Sequence, residues 1–185
     1  MNYLESLVAE WLEYRGYFVR RNVKVGKRQK GGWDGELDVV AYCPQPQELI
    51  HIECSMDADT WAQRETRLVR KFDIGRKCIP ELFGDLCERE PEQFALFGYG
   101  SEKHAELAGA RVVHIKRLLG VIAKDLGGRA VVQDVVPESF PILRTIQYML
   151  DGSQGLGLGR HVEGTVKCKF GNYLAGFFGN YLADF

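Results

Sequence analysis

The chain has 185 residues, 45% apolar and 26% charged, which is enough to build a core and excludes a disordered chain. Lysine plus arginine number 24 against 25 for aspartate plus glutamate, giving a net charge of −1. A strongly basic nucleic-acid coat is therefore excluded, and any contact with a polyanion has to come from local clusters. The five cysteines (Cys43, Cys54, Cys78, Cys87 and Cys168) are scattered and form no CxxC pair, which favours reduced thiols over a zinc ribbon or a disulfide scaffold. Residues 1–14 carry Glu5, Glu10 and Glu13 without a basic stretch, unlike a signal peptide, and no run of about 18 apolar residues occurs. A cytoplasmic location without membrane contact is the expectation.

Residues 3–15 predict an amphipathic helix, because Leu4, Leu7, Val8, Trp11 and Leu12 fall on one face and Gly16 follows as a stop. Tyr17-Phe18-Val19 begins a strand, followed by a basic, glycine-rich turn region. Glu36–Tyr42 and Leu49–Ser55 read as the two strands of a hairpin around Pro44 and Pro46. A charged helix is predicted over 59–73, continuing toward Leu86 with a break near Pro80. Strands at Phe94–Tyr99 and Arg111–Ile115 come next, with helices at about 101–108 and 117–126, the latter ended by Gly127-Gly128. Pro137–Leu150 suggests a last helix. The order is α-β-β-β-α-β-α-β-α, an α/β domain over residues 1–150 with a mixed sheet flanked by helices. Residues 151–185 read as a glycine-rich linker and an aromatic tail. In the tail Gly171-Asn-Tyr-Leu-Ala-Gly-Phe recurs as Gly179-Asn-Tyr-Leu-Ala-Asp-Phe. Exposed aromatics at that density favour association, so an assembly role for the tail is a further expectation.

The hairpin carries the chemistry. Alternation along a strand puts Glu36 and Asp38 on one face of the first strand and His51, Glu53 and Ser55 on one face of the second. If the polar faces coincide, Asp38 and Glu53 meet across the pair. Two carboxylates that close repel unless a cation lies between them. Oxygen ligands with open water positions suit Mg²⁺, with Mn²⁺ as an alternative. Such an ion polarises a phosphoryl oxygen and activates water for attack on phosphorus. His51 is expected to hydrogen-bond beside the core rather than to ligate, and Cys54 to point to the opposite face. Two basic clusters flank the hairpin. One runs from Arg15 through Arg20, Arg21, Lys24, Lys27 and Arg28 to Lys30; the other comprises Arg64, Arg67, Arg70, Lys71, Arg76 and Lys77. Of these, Arg20, Arg21, Lys27, Arg28, Lys30 and Arg67 are candidate phosphate contacts, and Trp33 a stacking or wedging aromatic.

Gly35-Glu36-Leu37-Asp38, followed by an apolar strand ending Glu53-Cys54-Ser55, resembles the PD-(D/E)xK nuclease superfamily. The preceding helix, with Glu5 and a Leu…Gly-Tyr ending, resembles it too. The nearest patterns are the archaeal Holliday-junction resolvases and Mrr-type restriction endonucleases, and the resemblance covers about residues 3–116. It implies a restriction-endonuclease-like fold and Mg²⁺-dependent cleavage of DNA, by an enzyme type that often acts as a homodimer. Asp38 and Glu53 would be metal ligands, and Glu5 would reach the metal through a bound water. The pattern's terminal lysine, which orients water and stabilises developing charge, is Ser55 here. Either a cation from elsewhere fills its place, or the site binds DNA without efficient cutting. The candidate substitute is Lys71, which shares a helix face with Gln63 and Arg67 at i, i+4, i+8.

Overall fold

The computed structural model describes residues 2–45, 47–84, 89–101 and 103–152. The first helix, α1 (Tyr3–Tyr14), is capped by the Asn2 side chain, which accepts the Glu5 N–H at 3.0 Å. Its apolar stripe is buried, and Leu4, Leu7 and Leu12 are fully so. Gly16, at φ 90°, turns the chain so that the Tyr17 N–H returns to the Leu12 carbonyl at 3.0 Å.

Three antiparallel strands follow: β1 (Phe18–Lys27), β2 (Trp33–Cys43) and β3 (Glu48–Ser55). Helix α2 (Trp61–Phe83) then crosses to β4 (Glu92–Phe97), which runs parallel to β3. The short β5 (Glu106–Leu107) forms a hairpin with β6 (Ala110–His114), and β6 runs parallel to β4. The chain continues as α3 (Ile115–Leu126) and α4 (Pro141–Gly152), the latter with proline at its first helical position. The sheet order is β1-β2-β3-β4-β6-β5, a mixed six-stranded sheet. None of the described helices is long and apolar enough to cross a membrane.

Side-chain alternation divides the core in two. Val39, Ala41, Ile50, Ile52, Phe94 and Leu96 pack against α1, α3 and α4. On the other face Val40, Tyr42 and Leu49 meet Cys78 and Ile79 of α2, and Ala95 and Phe97 meet Leu68 and Phe72. The protein is thus an α/β domain in which one helix covers one face of the sheet and three cover the other.

Four features differ from the sequence reading. The basic stretch after Val19 is strand through Lys27 rather than turn, because Val23 and Val25 bury their side chains against α2. No break occurs at Pro80: α2 runs on to Phe83, since proline in the last turn forfeits a single helical bond while Cys78 and Ile79 stay packed. The helix expected at 101–108 is instead a loop and β5. Ala108 and Gly109, at φ 54° and 74°, form a two-residue hairpin turn that no helix accommodates. Residues 151 and 152 belong to α4 rather than to a linker, and the tail from 153 onward lies outside the described residues, as do Cys87 and Cys168.

The buried face of α2 contains one glycine, Gly75, at the point where the helix crosses β3. A Cβ there would lie 2.5 Å from the His51 ring. Gly75→Ala is therefore expected to destabilise the fold by about 1–3 kcal/mol through overpacking. Gly120 in α3 has open space around its missing Cβ. Alanine there should raise stability by up to about 1 kcal/mol. Chemical denaturation of both variants measures the contrast.

Candidate functional site

The β2–β3 ladder ends at Val39↔Ile52, and the next residues outward are Asp38 and Glu53. Beyond that point side chains take over from the main chain. Asp38 Oδ2 accepts the Cys54 N–H at 2.8 Å, and Glu53 Oε1 accepts the Asp38 N–H at 3.4 Å. The β1–β2 pairing is interrupted at the same level: Asn22, opposite Asp38, sits at φ 50° and is skipped in the ladder. Irregular pairing of this kind re-aims side chains.

Both carboxylates face α2, and Lys71 reaches down between them. Its Nζ lies 2.8 Å from Asp38 Oδ1 and also bonds Glu53 Oε2. Glu53 is 1% exposed and Lys71 about one-third exposed on its side chain, so the ammonium bridges the interior and the surface. Burial, then the negative charge of Glu53, push the Asp38 carboxyl up to about 6, and Lys71 offsets them only in part. Burial also acts to raise Glu53, but His51 and Lys71 outweigh it and hold Glu53 below the usual carboxylate range. Burial acts to lower Lys71, and the two carboxylates outweigh it, so its pKa is raised. At neutral pH the trio holds two negative charges and one positive.

Behind Glu53 stands a polar chain in which His51, expected to hydrogen-bond beside the core, is joined by Gln93 and Arg76. His51 Nε2 lies 2.8 Å from Glu53 Oε1, and His51 Nδ1 lies 3.1 Å from Gln93 Nε2. Gln93 also donates to the Phe72 carbonyl at 2.9 Å and accepts from Arg76. Gln93 comes from β4, which pairs with β3 at His51. The signals available for it were a polar residue opening an apolar strand, Glu92-Gln93-Phe94-Ala95-Leu96-Phe97, and a glycine on the inner face of α2.

The other predicted residues are placed as follows. Ser55 is buried, donates to Asp57 and accepts from Arg67 at 3.2 Å. Arg67 also bonds Asp57 at 2.5 Å and Asp59 at 2.7 Å. Desolvation acts to raise the Asp57 pKa, but Ser55 and Arg67 outweigh it and pull it down to about 2. Thus one face of α2 delivers Arg67 to Ser55 and Lys71, one turn on, to Asp38 and Glu53. Glu5 is buried on the α1 side of the sheet, where its charge helps burial raise the Cys54 thiol well above its ordinary value. Glu36 is exposed. Arg20, Lys27 and Lys30 are exposed, as is Trp33, which begins β2. Arg21 pairs with Glu13 at 2.9 Å and Arg28 with Asp34 at 2.7 Å. A groove of about 410 Å³ between α2 and the start of β2 is lined by Asp34, Arg70, Asp73, Ile74, Lys77 and Cys78, among others, and by none of Asp38, Glu53 and Lys71.

No group of three or more His, Cys, Asp or Glu side chains is gathered for a metal among the described residues. The donor set is smaller: Asp38 Oδ1 and Glu53 Oε2, converging on the point that the Lys71 ammonium occupies. Two carboxylate oxygens with water completing the shell suit Mg²⁺, provided Lys71 moves aside. Neither protein-family models, nor curated proteins, nor solved structures match this chain.

Because burial raises the Asp38 pKa, the ionised form is less at home in the folded chain than in the unfolded one. Its protonated form favours folding below the ordinary value of 3.8, and that contribution is lost as pH rises through about 6. The stability of the parent chain minus that of Asp38→Asn should therefore fall by roughly 2–3 kcal/mol between pH 3.5 and pH 7.5, as followed by urea denaturation.

Proposed function

We propose that this protein is a metal-dependent nuclease that hydrolyses DNA phosphodiester bonds at Asp38, Glu53 and Lys71. The observation that carries the reading is the convergence of a helix-borne lysine on two strand carboxylates at the end of a hairpin. A cation in that position compensates for Ser55, where the resembling superfamily carries its lysine. Asp38 and Glu53 would hold Mg²⁺ or Mn²⁺ by one oxygen each. The bound ion supplies Lewis-acid polarisation of a phosphoryl oxygen and a more acidic water. Lys71, displaced from between the carboxylates, keeps its positive charge beside them, where it can orient a water and stabilise charge developing on phosphorus. Arg70 and Lys77 in the groove along α2, with Arg20, Lys27 and Lys30 on the first hairpin, offer cations to the phosphate backbone.

A second reading has its own observation in support. Lys71 already neutralises one of the two carboxylate charges, and Arg67, Arg28 and Arg21 are engaged with acids of the same chain. A nuclease-like DNA-binding module with a structural ion pair fits that arrangement.

Cleavage of plasmid, branched and single-stranded DNA with Mg²⁺ or Mn²⁺ separates the two. In the enzyme reading Asp38→Ala abolishes cutting without loss of DNA affinity. Lys71→Met lowers the rate by about 10²–10³-fold, the scale for losing one stabilising donor. The same Lys71→Met variant leaves two buried carboxylates uncompensated, so Mg²⁺ should raise its melting temperature more than that of the parent chain. A folded parent chain that cuts no substrate with either metal fails the enzyme reading.

A further inference from the structure

Each carboxylate of the site has one oxygen committed to the protein interior and one offered to the cation. Asp38 Oδ2 is held by the Cys54 N–H, and Oδ1 faces Lys71. Glu53 Oε1 is held by His51 and by the Asp38 N–H, and Oε2 faces Lys71. His51 is fully buried, with the Phe72 ring edge-on at 5.3 Å and Gly75 against its Cε1 and Nδ1.

The orientation of Gln93 decides which ring nitrogen carries the proton. Arg76 donates to its Oε1, and the Phe72 carbonyl accepts from its Nε2. The second amide hydrogen then points at His51 Nδ1, which accepts it. The ring proton assigned from this network is on Nε2, aimed at Glu53 Oε1.

Resting on the proposed cation site, we infer that His51 is a positioning residue that makes Glu53 a one-oxygen ligand and thereby selects Mg²⁺ or Mn²⁺ over Ca²⁺. Calcium takes six to eight oxygens and gains from two-oxygen chelation by carboxylates, whereas magnesium takes single oxygens and keeps its waters. Oε1 already accepts two buried N–H donors, so chelation through both oxygens of Glu53 strands one of them without a partner. His51 does not touch the cation position, and its effect passes through Glu53.

Calorimetric titration of the full chain with MgCl₂, MnCl₂ and CaCl₂ tests this. The parent chain should prefer Mg²⁺ or Mn²⁺ to Ca²⁺. His51→Leu leaves Oε1 with the Asp38 N–H alone, opens one acceptor position on it, and should shift the preference toward Ca²⁺ by about tenfold or more, the scale seen when partners of metal ligands are removed. His51→Gln, whose amide can donate toward Oε1, should retain the parent preference. An unchanged ratio in folded His51→Leu overturns the inference while leaving the cation site standing. A parent chain that binds none of the three ions overturns the cation site itself, and the inference with it. Should His51→Leu not fold, ¹⁵N NMR of the His51 ring in the parent chain decides. A proton on Nε2 with Nδ1 bare is expected, and a proton on Nδ1 overturns the inference.

Discussion

The Lys71 ammonium between Asp38 and Glu53 is the contact on which the middle of the molecule depends. Two carboxylates have been taken out of water at the end of a hairpin, and each would cost several kcal/mol if left without partners. Every oxygen is instead spoken for: Lys71, the Cys54 and Asp38 N–H groups and His51 together satisfy the pair. The arrangement also sets the seat of α2. Lys71 fixes the helix over the end of the hairpin. Phe72 fills the core beside it, and Gly75 one turn later lets the backbone settle on His51. Structure and candidate chemistry therefore share the same few residues.

Charge on the surface is organised less freely than composition suggests. Several arginines that a linear reading places on a DNA-facing rim are committed to acids of the chain itself. Arg67 is bound to Asp57, Asp59 and Ser55; Arg28 holds Asp34, and Arg21 holds Glu13. A polyanion that approached would have to exchange with these carboxylates or settle for the remaining cations along β1 and the groove. With a net charge of −1, the long-range field contributes nothing to attraction, so recognition would rely on short-range contacts.

The parts of the fold legible in the sequence are those whose causes are local. α1 announces itself by apolar spacing, and the β2–β3 hairpin by alternation and a proline turn. Asp38, Glu53 and Lys71 could be brought together from strand parity and a helical i, i+4, i+8 row, because both are periodic rules. Gln93 could not. It reaches His51 only because β4 pairs in parallel with β3, a long-range choice that no window of sequence contains. The partners of Arg67 were hidden for a related reason: Asp57 and Asp59 lie in the turn between β3 and α2, where spacing does not determine direction. The β5–β6 turn is not legible in the sequence because Ala108 adopts a backbone conformation that alanine rarely takes.

The close seating of Gly75 against His51 couples two positions 24 residues apart in the chain into one heritable unit. Any side chain at 75 needs the space the imidazole now fills, and any larger ring at 51 needs the helix to lift away from the sheet. Homologous chains should therefore change the two together, gaining bulk at one as they lose it at the other. A lineage that keeps the histidine is bound to keep the glycine as well.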